Sequence, residues 1–490
     1  MNKIIRNTFI IIVALVLMLG FNQSYTSLSI DNLAYVIALG VDKGEKEKFK
    51  ITFQFTRGSS KSESGSSEKS PLIVNSVEAN SIDSAINIMN AYMARELNLS
   101  HCRLLIFSEE VAANGISNEI YTLANDQEVR PSANVIVTKN KAEDYISSSD
   151  PILENFITKY YEIFPNSSKY TGYVYNVTLG SFFNQLVCDT CEPFAILGGI
   201  NSNSPNTSTT DKSSDIADIK SSDTSISAKR DAENIGVAVF KEDKLVGELT
   251  ALETLCLSII RGEVDSFLIT IQDPQNENET IDLMLYTQNG RKIKVNIINN
   301  TPYVTVDLKF TGKIYSMKEN AKYLDSSILD SISEKANQYL ENLLTEYLYK
   351  TSVEFKSDIN GIGRYCLSNF LTTKEFEQFD WKNSYTNSTF KVTVNTQIQS
   401  GFLVTETWYI GDVSFCSICP FCYIYIIWRF FMLSFFYHIV FLIFTIYVLI
   451  RSVAYGLYEI NEQKNKFGGR LVILFTIFSV IFSNILVWKN

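Results

Sequence analysis

The sequence predicts an α+β fold: a multi-domain, mixed α/β extracytoplasmic body followed by a C-terminal transmembrane helical hairpin. Three observations predict it. Apolar stretches of period two are interleaved with stretches whose apolar residues recur at helical spacing, the pattern of strands and amphipathic helices sharing a core. A short apolar run follows Lys3 and Arg6 near the N terminus, and two longer ones lie near the C terminus.

Phe9–Leu19, preceded by Lys3 and Arg6, has the n-region and h-region of a secretory signal, so residues 1–21 are read as a signal or anchor segment. Met18-Leu19-Gly20 leads into the position where a bacterial lipoprotein carries its lipid-bearing Cys. That position is Phe21, so no lipid anchor is expected.

Residues 423–490 read as a two-helix transmembrane hairpin. Phe430–Ile450 has 21 residues and no formal charge, enough to cross a hydrocarbon core of ~30 Å at about 1.5 Å per residue. Leu471–Trp488 is a second, shorter span with an interfacial Trp. Between them Arg451, Lys464, Lys466 and Arg470 outnumber Glu459 and Glu462. The Arg451–Arg470 loop is therefore placed in the cytoplasm and the body outside, which agrees with the N-terminal signal. His438, inside the first span, is read as a neutral imidazole bonded to a neighbouring helix, with a functional role as the alternative.

Within the body, Leu33–Val41 and Phe49–Thr56 read as strands joined at Asp42-Lys43-Gly44-Glu45, the second with Phe49, Ile51, Phe53 and Phe55 on one face. Arg57–Ser70 reads as a loop and Leu72–Val77 as a returning strand. Ser81 caps a helix expected to reach about Leu97, with Ile82, Ala85, Ile86, Met89, Tyr92 and Met93 on one face. Leu104–Phe107 and Asn134–Thr138 are short buried strands, completing an N-terminal mixed α/β domain over residues 22–150.

Residues 151–200 read as a middle domain, helical at Ile152–Tyr161 and Leu179–Val187. Residues 201–234 hold few large apolar side chains and are expected to be a disordered linker. Residues 235–410 read as a C-terminal α+β domain. It opens with a hairpin (Ile235–Phe240, Lys244–Glu248) and a helix near Ala251–Ile260. Strands follow near Phe267–Ile271, Ile281–Tyr286, Lys292–Ile298 and Tyr303–Phe310. A long helix, Tyr323–Tyr349, carries Leu324, Ile328, Ile332, Tyr339, Leu343 and Tyr347 as a core-facing stripe, and Phe390–Ile398 is the last strand.

A net charge of -10 excludes nucleic acid as the main partner. With only two histidines, His-based catalysis has little to draw on. There is no GxSxG elbow, HExxH helix or GxxxxGK[ST] loop. Gly361-Ile362-Gly363 lacks the third glycine of a dinucleotide loop, and Ser66-Ser67-Glu68-Lys69 matches SxxK only through composition. His101 is read as a hydrogen-bonded structural residue.

Eight cysteines include a CxxC at Cys188 and Cys191 and a CxxCxxC at Cys416, Cys419 and Cys422. Neither has a local fourth ligand for zinc or an iron–sulfur cluster, and the first does not open a thioredoxin-like helix. Cys188 and Cys191 are read as structural, as thiols or as a local disulfide, and Cys416–Cys422 as small side chains at the membrane entry. No catalytic residue, metal ligand or cofactor is assigned, and the binding residues are unknown.

Four stretches, in order, carry a family resemblance. They are Asp31–Lys43 followed by Ile51–Gln54; Leu99–Glu110 with Asn125–Pro131; Ile235–Gly247 with Glu253; and Asp358–Gly363 through Trp381 to Gly401. Together, over about residues 30–405, they resemble the C subunit of bacterial spore germinant receptors, the GerAC-like family. The resemblance implies three mixed α/β domains outside the inner spore membrane, no known active site, and assembly with two integral membrane partners, the A- and B-type receptor subunits. Members of the family are usually lipoproteins. Phe21 departs from that pattern, and so does the Cys416–Asn490 stretch beyond the usual end. That stretch replaces the lipid anchor, is a fused small membrane subunit, or results from a frameshift. An extracytoplasmic enzyme acting on cell-wall polymer and a ligand-capture protein for a transporter are the competing readings.

Overall fold

A computed structural model describes residues 32–56, 72–149, 154, 156–201, 219–222, 232–315 and 325–399, together with 447, 449–455, 457–458 and 474–476. The chain divides into two compact units, Met1–Glu406 and Thr407–Asn490.

The first unit contains two sheets. The larger has nine strands: β1 (Leu33–Lys43), β2 (Phe49–Thr56), β3 (Leu72–Ala79), β4 (Glu96–Asn98), β5 (Leu104–Ser108), β6 (Asn134–Thr138), β7 (Phe194–Ile200), β8 (Ala232–Lys241) and β9 (Lys244–Leu249). Their order is β3-β2-β1-β5-β6-β7-β8-β9, with β4 pairing the start of β1. The central β1, β5, β6 and β7 are parallel, and both flanks are antiparallel.

Parallel neighbours need crossover connections, and the helices in these connections cover both faces of the sheet. Every residue of β5 and β6 is accordingly buried. On β2 the face opposite Phe49, Ile51, Phe53 and Phe55 is covered too. Thr52 and Gln54 are inaccessible there, and Tyr161 donates its hydroxyl to Gln54 Oε1 at 2.9 Å.

The second sheet comprises β10 (Ser266–Asp273), β11 (Asn276–Thr287), β12 (Lys292–Ile298), β13 (Thr301–Ile314) and β14 (Thr389–Gln399). The first part of β13 pairs with β12 and its last part with β11, while β14 runs parallel along most of its length. On β13, Val304, Val306, Leu308 and Phe310 are buried in strict alternation. The long helix Ser326–Tyr349 lies against β14 and β10.

Several elements differ from expectation. Ser81 caps its helix as read, accepting from Ser84 N at 3.1 Å, but the helix stops at Tyr92, which is exposed. Asn90 Oδ1 takes the Leu97 N–H at 2.8 Å, and Glu96–Asn98 pairs with β1 instead. On the long helix the deepest stripe is Ile332, Ala336, Leu340, Leu344 and Leu348. Of the expected stripe, Ile332 and Tyr347 are buried, Ile328, Tyr339 and Leu343 only flank the core, and Leu324 lies outside the described residues.

The hairpin of β8 and β9 does not open a separate sheet at residue 235. It extends the first sheet from β7, so residues 151–200 and the hairpin share one core. Part of the expected linker also packs. Ser221 is inaccessible, its hydroxyl accepting from Ile235 N at 2.6 Å, and Ile219 O accepts from Ala251 N at 2.8 Å. These contacts satisfy backbone groups beside the irregular pairing of β7 and β8, which a polar segment can do without burying apolar surface.

Residues 1–21 with Phe21, Arg57–Ser70, Cys416, Cys419, Cys422 and His438 lie outside the described residues, as does nearly all of 423–490. Among the described residues no helix is long and apolar enough to cross a membrane. Residues 449–455 are helical, so helix continues past Ile450 through Arg451, where the loop was expected to start.

Candidate functional site

Two places in the first unit concentrate polar chemistry. The first is a cleft of about 370 Å³ at the C-terminal ends of the parallel strands β1, β5 and β6, lined by Asp42, Lys43, Ser108, Glu109, Glu110, Lys139 and Lys141 among others. In open α/β sheets this end of the strands is the usual ligand side.

Here, however, its most buried carboxylate is already engaged. Asp42 accepts from Ala142 N at 2.7 Å and Glu143 N at 3.0 Å, capping the helix Ala142–Ser147. Burial raises its pKa while those donors pull it down. Around it Lys43 pairs with Glu110 and Lys50 with Glu143, while Lys139 lies 3.4 Å from Glu248. Exposed pairs such as Lys43–Glu110 contribute at most about 1 kcal/mol each to stability.

The second place is a buried polar junction around Asp358. Its carboxylate accepts from Ile362 N at 3.1 Å, Gly363 N at 2.8 Å and Trp381 Nε1 at 2.9 Å. Burial pushes this carboxyl up to about 6, against the pull of those three donors and of Arg261. The Asp358 carbonyl also accepts from Glu192 N at 3.0 Å.

Arg261, at the end of the helix Ala251–Arg261, donates from Nε to the Tyr175 hydroxyl and from Nη1 to Ile359 O, both at 2.8 Å. Its guanidinium lies 5.1 Å from the Phe194 ring centroid. The next residue, Asn360, accepts from the Tyr347 hydroxyl at 2.8 Å, and Ser357 donates to Phe240 O at 2.6 Å. One loop, Ser357–Gly363, thus ties β8, the long helix, the helix ending at Arg261 and the Trp381 helix into one body.

The glycines of that loop have structural reasons. Gly361 has φ +66, a left-handed conformation that disfavours other residues. At Gly363 a Cβ would come within 2.4 Å of Thr190 O and 2.5 Å of Trp381 Nε1. Gly361-Ile362-Gly363 therefore wraps a buried carboxylate and is not the start of a phosphate loop.

Thr190 belongs to the CxxC, whose cysteines the fold brings against this junction. Cys188 Sγ lies 3.2 Å from Thr190 Oγ1. Glu192, buried beside them, accepts from Glu242 N at 2.7 Å and has Lys382 Nζ at 3.3 Å.

His101 is exposed, edge-on to Tyr35 with centroids 4.3 Å apart and 3.1 Å from Ser100 Oγ. Partial burial and the charges of Arg130 and Arg103 lower its pKa. It lines, with Arg103, Glu154 and Glu162 among others, a second pocket of about 480 Å³. Among the described residues no cluster of His, Cys, Asp and Glu has the spacing of a metal site.

Sequence reasoning missed the Asp358 junction, since its partners are spread from Tyr175 to Trp381. The capping box that starts the Ala251–Arg261 helix was readable. Thr250 Oγ1 accepts from Glu253 N at 3.3 Å, and Glu253 Oε2 accepts from Thr250 N at 2.9 Å. Glu253 also lies 2.6 Å from Lys350 Nζ, a contact no local pattern indicates.

Two family models match the chain: the spore germination protein N-terminal domain over residues 27–197, and the spore germination B3/GerAC-like C-terminal domain over residues 235–401. Spore germination protein KC of Bacillus subtilis (strain 168) is 20% identical over 374 residues, covering 72% of this chain and 86% of that protein. The crystal structure of the GerBC protein aligns with a TM-score of 0.43 at 15% identity, covering 74% of this chain and 96% of that one.

Proposed function

The chain belongs to the GerAC-like family of spore germination proteins, and from that premise we propose that it is a non-enzymatic subunit of a nutrient-sensing germinant receptor. It assembles with two integral membrane partners, of A and B type, at the inner spore membrane, and its body lies on the outer side. The observation that carries this reading is the pair of family matches, which in family order take in both sheets and the Asp358 junction.

The chemistry is consistent with it. Asp42, Lys43, Glu110 and Lys139 of the cleft and Asp358 and Arg261 of the junction are engaged in pairs and caps, an arrangement that stiffens a body and presents surfaces. The apolar runs Phe430–Ile450 and Leu471–Trp488 supply the tether, in place of a lipid at Phe21. A tether confines the body to two dimensions with its partners, which raises their effective concentration and lets modest interfaces hold a complex.

Deletion of the gene tests the proposal, with germination followed by optical-density loss of purified spores. The expected result is loss of the response to one nutrient, intact germination by non-nutrient triggers, and reduced abundance of the partner subunits. Normal nutrient germination with normal partner levels, in a strain without a second receptor for that nutrient, would overturn it.

A further inference from the structure

We infer that Cys188 and Cys191 form a reversible dithiol–disulfide site that reacts with small-molecule disulfides, Cys188 attacking and Cys191 closing the bond. The inference rests on how the fold holds the two thiols, and is independent of the receptor reading.

The loop Cys188-Asp189-Thr190-Cys191 connects the helix Leu179–Leu186 to β7. Its first residue is fixed by Cys188 N donating to Gln185 O at 3.2 Å. Its far side is fixed by Glu192 N on Asp358 O, and Thr190 O packs on Gly363 where no side chain fits. Between these anchors the two thiols, three residues apart on one short loop, are free and partly open to solvent. Cys102, Cys256 and Cys366 are at most 1% exposed, and burial raises the pKa of all three. A purely packing role would give the pair the surroundings of those three, and it does not have them.

The two thiols are also unequal. The Cys191 thiol donates toward Cys188, the Thr190 hydroxyl and N–H add to it, and Lys382 contributes its charge, so Cys188 is lowered to about 5 despite partial burial. Cys191, as the donor, moves up. A thiolate beside a protonated thiol is the arrangement an attacking and resolving pair needs.

In the first step the Cys188 thiolate attacks one sulfur of the small disulfide. That S–S bond breaks, and a small thiolate leaves with the electron pair and takes a proton. Cys191 then loses its proton to solvent and attacks the Cys188 sulfur, displacing the second small thiol. The protein gives up two electrons and two protons, and the small disulfide receives them as two thiols. So short a loop adds little chain-entropy stabilisation, which makes the bond easy to reduce again.

The test uses the full chain in detergent, incubated with oxidised glutathione, quenched with acid, denatured and alkylated. In the tryptic peptide Tyr170–Lys212, which holds only these two cysteines, Cys188 and Cys191 should be alkyl-free and the peptide lighter by two hydrogens. The peptides of Cys102, Cys256 and Cys366 should carry the alkyl group. Cys191→Ser should stall with one glutathione on Cys188, and Cys188→Ser should react at Cys191 at least about tenfold more slowly. Protection of Cys256 from alkylation before denaturation shows that each variant is folded. If a variant unfolds, the wild-type peptide map decides alone. Alkylation of Cys188 and Cys191 to the extent of Cys102 overturns the inference. So does a folded Cys191→Ser that takes up no glutathione, or a folded Cys188→Ser that reacts as fast as wild type.

Discussion

The carboxylate of Glu341 accepts a hydrogen bond from the backbone N–H of Val394 at 2.9 Å. The relationship repeats along both elements. Asn337 Oδ1 accepts from Thr396 N at 2.8 Å, and Ser333 Oγ from Ile398 N at 3.3 Å. Four residues of helix advance about 6 Å and two residues of strand about 6.6 Å, so helical side chains at i, i+4 and i+8 stay in step with alternate strand amides. The side chains of one helix thus occupy the amides of β14 that β13 leaves open. Covering an edge with a helix is one way natural proteins prevent pairing with another chain.

Asn337→Ala should therefore leave the Thr396 N–H unsatisfied and cost about 1–3 kcal/mol, read as a lower urea midpoint. Adding Glu341→Ala should free a second amide and promote self-association, visible by size-exclusion chromatography as the concentration rises. A double variant with the wild-type midpoint and elution would show that the ladder contributes nothing.

Gly361 and Gly363 should respond differently to alanine. At Gly361 the penalty is conformational, about 1 kcal/mol, because the space around a Cβ is ordinary. At Gly363 the obstacles are a backbone carbonyl and an indole, neither of which yields without moving the CxxC loop or Trp381. Gly363→Ala should lose more, about 2–4 kcal/mol, and should shift Trp381 fluorescence. Equal midpoints for the two variants would contradict this assignment.

Asp358 should make stability depend on pH. Its folded pKa, about 6, lies above the 3.8 of an ordinary Asp, so between those values the folded chain holds the extra proton. Stability contributed by Asp358 is complete below about pH 4 and falls by about 3 kcal/mol as pH rises through 6. Burial also raises Asp42 and Glu192, with the same sign, so the comparison must be with Asp358→Asn. Urea midpoints of the variant should fall less steeply between about pH 4 and pH 6 than those of wild type. Parallel profiles would remove Asp358 as the source.

Cys188 should show its hydrogen bonds in its reactivity. With a pKa near 5, its alkylation by iodoacetamide should be nearly flat from about pH 6 to pH 8, whereas an ordinary thiol speeds up about tenfold per unit there. Replacing the resolving thiol, Cys191→Ser, should restore part of the slope. A wild-type profile that rises like a free cysteine would count against a lowered Cys188 pKa.

Much of this fold was legible locally because its signals are local. Alternation at Phe49–Thr56, the all-apolar run Leu104–Phe107 and the caps at Ser81 and Thr250 depend on residues a few positions apart, and the structure places strands and helix starts there. The family resemblance was likewise carried by contiguous stretches. Where elements end depended on distant partners. Glu96–Asn98 is a strand because β1 offers it hydrogen bonds, and β8 joins the first sheet because β7 has an edge to fill. The two polar places needed the tertiary structure altogether. The CxxC and the Asp358–Gly363 stretch could be singled out in the sequence, but nothing there joined Asp358, Arg261, Trp381 and Cys191 to one another. They become a junction because burying one carboxylate requires donors from several elements at once, and those donors converge only when the sheets and helices have packed.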